Sequence, residues 1–312
     1  MELFLSNLLT AATNVAVLYI MVAVGFICDK VGLFTEETAK KIVTFLLYVV
    51  ASCTLINSFI KIDATKETVT KFFTAFALSV VTHTVAILIN TLTFRNKNDE
   101  KNAVYKFASI YGNVAFMALP LAQAVLGDEG VLYCAGGAVV FNLFTFTHGV
   151  KLMSRKGEKL DMKKVILNPG VISVVIGLPI FLTGVKVPYL ISQPIESLAA
   201  LNSPVAMLVF GTYLSRTDLK SMLLDKKIYA VAAMKLIVLP LICIGIYYLC
   251  GLSGAVLTAA IITASVPSAN NTFMFSSIYG RDAALASKTV ALVSFLSIIT
   301  MPVMIAITQL TW

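Results

Sequence analysis

Ten long apolar runs dominate this chain of 312 residues, and short polar loops join them. The runs cover residues 8–28, 38–60, 70–94, 103–126, 130–150, 168–184, 193–215, 228–250, 254–279 and 285–310, each bound good to a few residues. A helix that crosses a bilayer needs ~20 apolar residues. Charged residues make up 13% of the chain, about half of the ~25% usual for a soluble domain. The pattern predicts an all-α integral membrane protein with ten transmembrane helices, numbered here as segments 1 to 10.

The basic residues are distributed unevenly among the loops. If the N-terminus lies outside the cell, the cytoplasmic loops receive 19 of the 24 lysines and arginines. Cytoplasmic loops of membrane proteins carry such an excess of positive charge. We therefore expect a cell-membrane protein with both termini outside, and the net charge of +8 needs no nucleic-acid partner. The longest connection, 151–167, becomes a cytoplasmic loop that carries Lys151, Arg155, Lys156, Lys159, Lys163 and Lys164.

The two halves of the chain correspond to each other. Residues 1–150 and residues 168–312 each contain five segments. Because five is odd, the second half enters the membrane from the side opposite to the first, as in the inverted repeats of secondary transporters. Pro120 lies inside segment 4, and Pro267 lies inside the corresponding segment 9. A proline inside a helix removes a backbone donor, so Gly112, Pro120 and Pro267 are expected to mark two broken helices.

Polar residues gather at these expected breaks. Asn113 follows Gly112 in segment 4, and Ser268, Asn270 and Asn271 follow Pro267 in segment 9. Corresponding broken helices are the best sequence indication of a transporter's binding site. Half-helix N-termini attract anions, and asparagine adds two donors. The polar residues therefore either hold an anionic substrate or only satisfy the interrupted backbone.

The motif in segment 4 resembles the G-N-x-G-F-x-G-x-P-L pattern of the auxin efflux carrier family. The matching stretch is residues 112–121, in which alanines 115 and 118 replace the two inner glycines. The proline-containing stretch of segment 9, which ends at Tyr279-Gly280, is also similar, and so is Asn168-Pro169 at the start of segment 6. The likeness extends over nearly the whole chain.

This resemblance implies a fold similar to sodium/proton antiporters and bile-acid symporters, in which segments 4 and 9 cross at their breaks. It implies a scaffold group (segments 1, 2, 6 and 7) and a transport group (segments 3–5 and 8–10). It further implies homodimers, elevator-type alternating access and transport of organic anions. Asn142 of segment 5 is a pocket residue by the same resemblance, with an interhelical hydrogen bond as the alternative.

Two basic side chains fall within the membrane segments. His83 is near the middle of segment 3, where it is either a proton carrier or a packed, neutral residue. Lys235 lies about seven residues into segment 8. Its stem is expected to reach back to the cytoplasmic surface, with contact to an anionic substrate as the alternative.

Carboxylates lie only in loops or at the ends of the apolar segments, and the five cysteines form no C-x-x-C motif, so no metal site or cofactor is expected. The interpretation that follows is a secondary carrier of small organic anions, such as malate, malonate or auxin-like carboxylates. Efflux would be driven by the membrane potential or a proton gradient. The alternatives are a sodium-coupled symporter of the same fold and an intramembrane enzyme, which would need a pair of acids, a Ser/His pair or a metal at membrane depth.

Overall fold

The computed structural model describes residues 2–61, 63–95, 100–154, 169–216 and 219–309. Helices make up the regular structure of these residues, apart from one isolated antiparallel bridge. Lys151 of the predicted cytoplasmic loop lies within α7 (Val150–Met153), the last described helix of the first half. Its companions Arg155, Lys156, Lys159, Lys163 and Lys164 lie outside the described residues.

The helices follow the order of the apolar runs. In chain order they are α1 (Glu2–Lys30), α2 (Glu36–Phe45), α3 (Ala51–Lys61), α4 (Lys66–Thr93), α5 (Lys101–Ile110), α6 (Leu119–Phe144), α7 (Val150–Met153), α8 (Pro169–Thr183), α9 (Tyr189–Ala199), α10 (Asn202–Ser215), α11 (Leu219–Leu224), α12 (Lys226–Ala233), α13 (Leu239–Leu249), α14 (Gly254–Ser265), α15 (Asn271–Ile278) and α16 (Ala283–Gln309). Short π-helical turns connect some of them without a loop, at Leu46–Val50, Val114–Ala118, Thr145–Gly149 and Met234–Val238.

Several of these helices have the length and composition of membrane spans. Among the described residues six qualify: Glu37–Lys61, Lys66–Thr93, Leu119–Met153, Tyr189–Ser215, Lys226–Leu249 and Ala283–Gln309. Two shorter apolar helices, Pro169–Thr183 and Gly254–Ser265, accompany them. Large apolar side chains face outward on several helices, including Ile20, Val175 and Ile299. A surface of this kind is stable in hydrocarbon and not in water, which identifies an integral membrane protein.

Helix α1 and helix α10 cross at unusually close range. A methyl group added to Gly25 would lie 2.0 Å from the Leu208 carbonyl oxygen, and one added to Gly211 would lie 2.0 Å from the Val22 carbonyl oxygen. Glycine at both positions therefore allows the two backbones to touch, as small residues do in membrane helix pairs.

A charged contact joins the ends of the same two helices. The Arg216 guanidinium donates to the Asp29 carboxylate, with Nε at 2.8 Å and Nη2 at 2.5 Å from Oδ1. Asp29 also accepts a hydrogen bond from the Ser215 hydroxyl. The contact fixes the register of α1 against α10.

Segment 4 is interrupted, but the interruption is not at Pro120 as expected. The chain leaves the helical conformation after Ile110 and is helical again from Val114, whereas Pro120 lies in the first turn of α6. The N–H of Leu119 donates to the carbonyl of Val114, five residues back, so the wide π-helical turn accommodates the ring of the next residue. Segment 8 repeats this arrangement before Pro240, where the N–H of Leu239 donates to Met234.

Candidate functional site

The interrupted parts of segments 4 and 9 lie against each other deep in the structure. An antiparallel bridge pairs Gly112 with Ser268. In it, the Asn113 N–H donates to the Pro267 carbonyl at 2.8 Å. All four residues are buried. Non-helical backbone inside a membrane protein must find partners within the protein, and each broken segment here provides them for the other.

Two further hydrogen bonds from segment 9 reach backbone carbonyls at the C-terminal end of α5. The Ala269 N–H donates to the Tyr111 carbonyl at 2.9 Å, and the Ser268 hydroxyl donates to the Ala108 carbonyl at 2.7 Å. Carbonyls in the last turn of a helix have no partner within the helix. The side chain of Ser268 therefore caps the first half of segment 4.

Lys235 caps the C-terminal end of α14, as Ser268 caps that of α5. The Lys235 ammonium donates to the carbonyl of Ala264 at 3.0 Å, and a methyl group added to Gly112 would lie only 2.9 Å from its Nζ. The side chain is 2% exposed. The expectation that it reaches back to the cytoplasmic surface is therefore wrong. The carbonyl end of a helix attracts a cation, and this attraction draws the chain inward to the crossover.

The Lys235 ammonium has no anionic partner in the part of the chain that the structure describes. No carboxylate there lies within 4.0 Å of its Nζ. One of its three N–H donors is used by Ala264. A buried charge without a counter-charge costs several kcal/mol, so the crossover is a place where an anion would be stabilised.

The three predicted asparagines are arranged differently around the bridge. Asn113 is buried, and Asn270 and Asn271 are half-buried at the start of α15. None of the three side chains has a hydrogen bond to another described residue. The described backbone hydrogen bonds of the two interrupted segments are made without these amide side chains, so the amides are available to bind a ligand.

A partly open cleft adjoins this cluster at Asn270. Its other walls come from the predicted scaffold group, through Phe210 and Tyr213 of α10, and from the transport group, through Phe273 and Ser287. The cleft thus lies between helices that the sequence assigns to different groups. Its lining is mainly apolar and includes no charged residue in the described part of the chain.

Two predicted residues lie beside the crossover and are engaged within their own helices. Asn142 is half-buried, and its amide donates to the Ala138 carbonyl at 3.0 Å. His83 is buried, and its Nδ1 lies 2.8 Å from the Ser79 carbonyl. Its ring packs 6.1 Å, centre to centre, from that of Tyr111.

Sequence reasoning missed Tyr111. It is fully buried in the break itself, and its hydroxyl donates to the Phe144 carbonyl at 2.9 Å or to His148 Nδ1 at 2.8 Å. The signal was its position directly before Gly112-Asn113, where a large polar ring must lie within the crossover. A metal-binding group of three or more histidine, cysteine, aspartate or glutamate residues is not found among the described residues.

Comparisons with known proteins agree with a membrane carrier. A family described as "Membrane transport protein" matches residues 10–305. An uncharacterized transporter of Methanocaldococcus jannaschii is 23% identical over 91% of this chain and 94% of its own length. A protein of Rhizobium meliloti named "Putative malonate transporter" is 25% identical over 62% of this chain and 63% of its own length. An uncharacterized transporter of Methanothermobacter thermautotrophicus is 21% identical over 91% of this chain.

Proposed function

We propose that this chain, which belongs to the membrane transport protein family, is a secondary carrier of small organic anions. The observation that carries the proposal is the buried Lys235 ammonium at the crossover, which has no described carboxylate partner. An anionic guest would supply the missing counter-charge. The match to transporters also sets aside the intramembrane-enzyme alternative.

Within this proposal the guest's carboxylate lies beside Lys235. The amides of Asn113, Asn270 and Asn271 donate to it, because they have no other described partner. The body of the guest occupies the adjoining cleft, between Phe273 and the scaffold group.

The proposed architecture has ten spans in two inverted repeats, 1–150 and 168–312. The meeting of the two interrupted segments in an antiparallel bridge supports it. The scaffold group and the transport group would move relative to each other as an elevator, in a homodimer within the cell membrane.

The direction of transport follows from the charge of the substrate. If both termini are outside and the cell interior is negative, an anion carried alone is driven outward by about 2.3 kcal/mol per charge per 100 mV. We therefore propose efflux by uniport, with proton coupling through His83 as the second mechanism to be tested.

Transport in liposomes tests the proposal. The purified protein is assayed for counterflow of labelled malonate, malate and indole carboxylates under imposed potential and pH gradients, with and without sodium. Lys235→Met should raise KM by about tenfold or more, because a hydrogen bond to a charged group contributes ~1.5–3 kcal/mol. The control is Lys226→Met, which removes an exposed lysine at the start of α12, two residues before segment 8.

Three results would contradict parts of this proposal. Equal transport by Lys235→Met and Lys226→Met would remove the ammonium as the anchor. A strict requirement for sodium would favour the symporter alternative. Transport of none of these anions by the unaltered protein would overturn the substrate class.

A further inference from the structure

The ring contacts Phe59–Phe72, Phe72–Phe181 and Tyr213–Phe273 run between the two predicted groups, but most polar side-chain contacts between segments stay within one group. In the scaffold group they join segments 1 and 2 to segment 7, and in the transport group they join segments 3–5 and 8–10 to one another. The pairs are Asp29–Arg216, Lys61–Glu196 and Thr54–Ala199 in the scaffold group, and Thr82–Tyr247, Lys235–Ala264, Thr258–Thr308 and Arg281–Met153 in the transport group.

Tyr19 makes hydrogen bonds that run between the two groups. It belongs to α1 of the scaffold group, and its hydroxyl lies 2.9 Å from the hydroxyl of Ser297 in α16 of the transport group. The same hydroxyl donates to the Ser294 carbonyl. Both serines are buried, so these bonds form away from the lipid-facing surface.

The position of these bonds relates them to the cleft. The face of α16 that lines the cleft carries Ser287, Val290 and Ala291. Ser294 follows Ala291 by three residues and therefore lies on the same face, one turn further along the helix. The Tyr19 hydroxyl therefore joins the scaffold group to the transport group about one turn of α16 beyond the cleft.

We propose that Tyr19 is a latch that holds the scaffold group and the transport group in the arrangement in which the cleft is present. The inference rests on the proposed function, since a latch between groups has meaning only if they move. Sliding of α16 along α1 carries Ser294 and Ser297 away from the Tyr19 hydroxyl. A hydroxyl that loses its partner in an apolar interface is costly, so the bonds favour the observed arrangement.

Labelling of the cleft measures this preference without knowledge of the substrate. In a chain whose five native cysteines are replaced by alanine, Ser287→Cys places a thiol in the cleft for a soluble maleimide. Tyr19→Phe keeps the ring and removes the hydroxyl. We expect it to lower the labelling rate by up to about fivefold, the weight of one hydrogen bond of average strength. Tyr48→Phe, at an exposed tyrosine of segment 2, is the control and should leave the rate unchanged.

Cross-linking tests whether the latch must open during transport. The pair Tyr19→Cys and Ser297→Cys is joined by a short, cleavable bis-maleimide, and transport should stop and then return after cleavage. The control pair is Lys61→Cys and Glu196→Cys, which lies within the scaffold group, and its cross-link should leave transport intact.

The two experiments separate failure of the latch from failure of the proposed substrate. An unchanged labelling rate in Tyr19→Phe, or full transport by the cross-linked Tyr19→Cys/Ser297→Cys protein, overturns the latch. If no organic anion is transported but Tyr19→Phe lowers the labelling rate, the latch stands and the substrate assignment falls.

Discussion

Individual residues at the crossover divide into two kinds. Ser268 and Lys235 bond to carbonyls at helix ends, where they replace partners that the interrupted helices lack. Asn113 is also buried as a residue, but its amide has no hydrogen bond within the described structure, and its polar atoms are not among those that are fully enclosed without a partner. Part of the amide therefore stays accessible at the crossover. It is available to a bound anion and does not support the fold.

Substitution of Ser268 should therefore affect the stability of the protein, whereas substitution of Asn113 should affect transport. Ser268→Ala leaves the Ala108 carbonyl without its cap and should lower the stability of the detergent-solubilised protein by about 1–2 kcal/mol. Asn113→Ala should leave stability nearly unchanged and raise KM about tenfold. Thermal unfolding and transport kinetics of both variants check this contrast. Full transport by Asn113→Ala at normal KM would assign the amide to the fold instead.

Elements of the chain were largely predictable from the apolar pattern, because burial in lipid requires long uninterrupted apolar runs. The all-helical, membrane-spanning character and the family resemblance are confirmed, with six described helices long and apolar enough to cross a membrane, while the count of ten spans stays a prediction. The break in segment 4 was misjudged at Pro120 because the wide turn after Val114 absorbs the ring, a backbone adjustment that no local composition reveals. The contact of Lys235 with Ala264 and that of Tyr19 with Ser297 were not predicted, because these partners lie 29 and 278 residues away in the sequence.

The close crossing of α1 and α10 yields a prediction at this scale. Gly211→Leu cannot be accommodated without separating the helices, since even a methyl group would lie 2.0 Å from the Val22 carbonyl oxygen. We expect loss of folded protein, measured by size-exclusion chromatography in detergent. Gly245→Ala is the control, because a methyl group there meets nothing within 4 Å. It should be neutral or stabilise the helix by about 0.5–1 kcal/mol. Normal yield of Gly211→Leu would contradict the packing argument.

At the scale of the whole molecule, most polar side-chain contacts fall within one or the other of the proposed scaffold and transport groups, whereas Tyr19 and three aromatic pairs connect the two groups. Arg281 illustrates this division, because it donates to the carbonyls of Met153 and Ser154 and so ties the end of segment 9 to the end of segment 5. In the proposed mechanism the anion binds where the two groups face each other. It would be exposed on either side of the membrane when one group shifts against the other.

The orientation of the molecule is open to a direct measurement. Cys250 is an exposed native thiol at the end of segment 8, which the distribution of basic residues assigns to the outside. An impermeant maleimide should label it in intact cells. Lys151→Cys in a chain without native cysteines should be labelled only after the membrane is opened. The reverse pattern would invert the proposed topology and the direction of efflux.

The hydrogen bond from Ser268 to Ala108 also sets a condition on biosynthesis. Its donor is translated 160 residues after its acceptor, an interval of about 10–30 s at ~5–20 residues per second. During that interval the Ala108 carbonyl at the end of α5 lacks the hydrogen bond from Ser268. The nascent chain must therefore keep this carbonyl in contact with water or with the insertion machinery, and a fragment that stops at residue 150 would be a substrate for quality control.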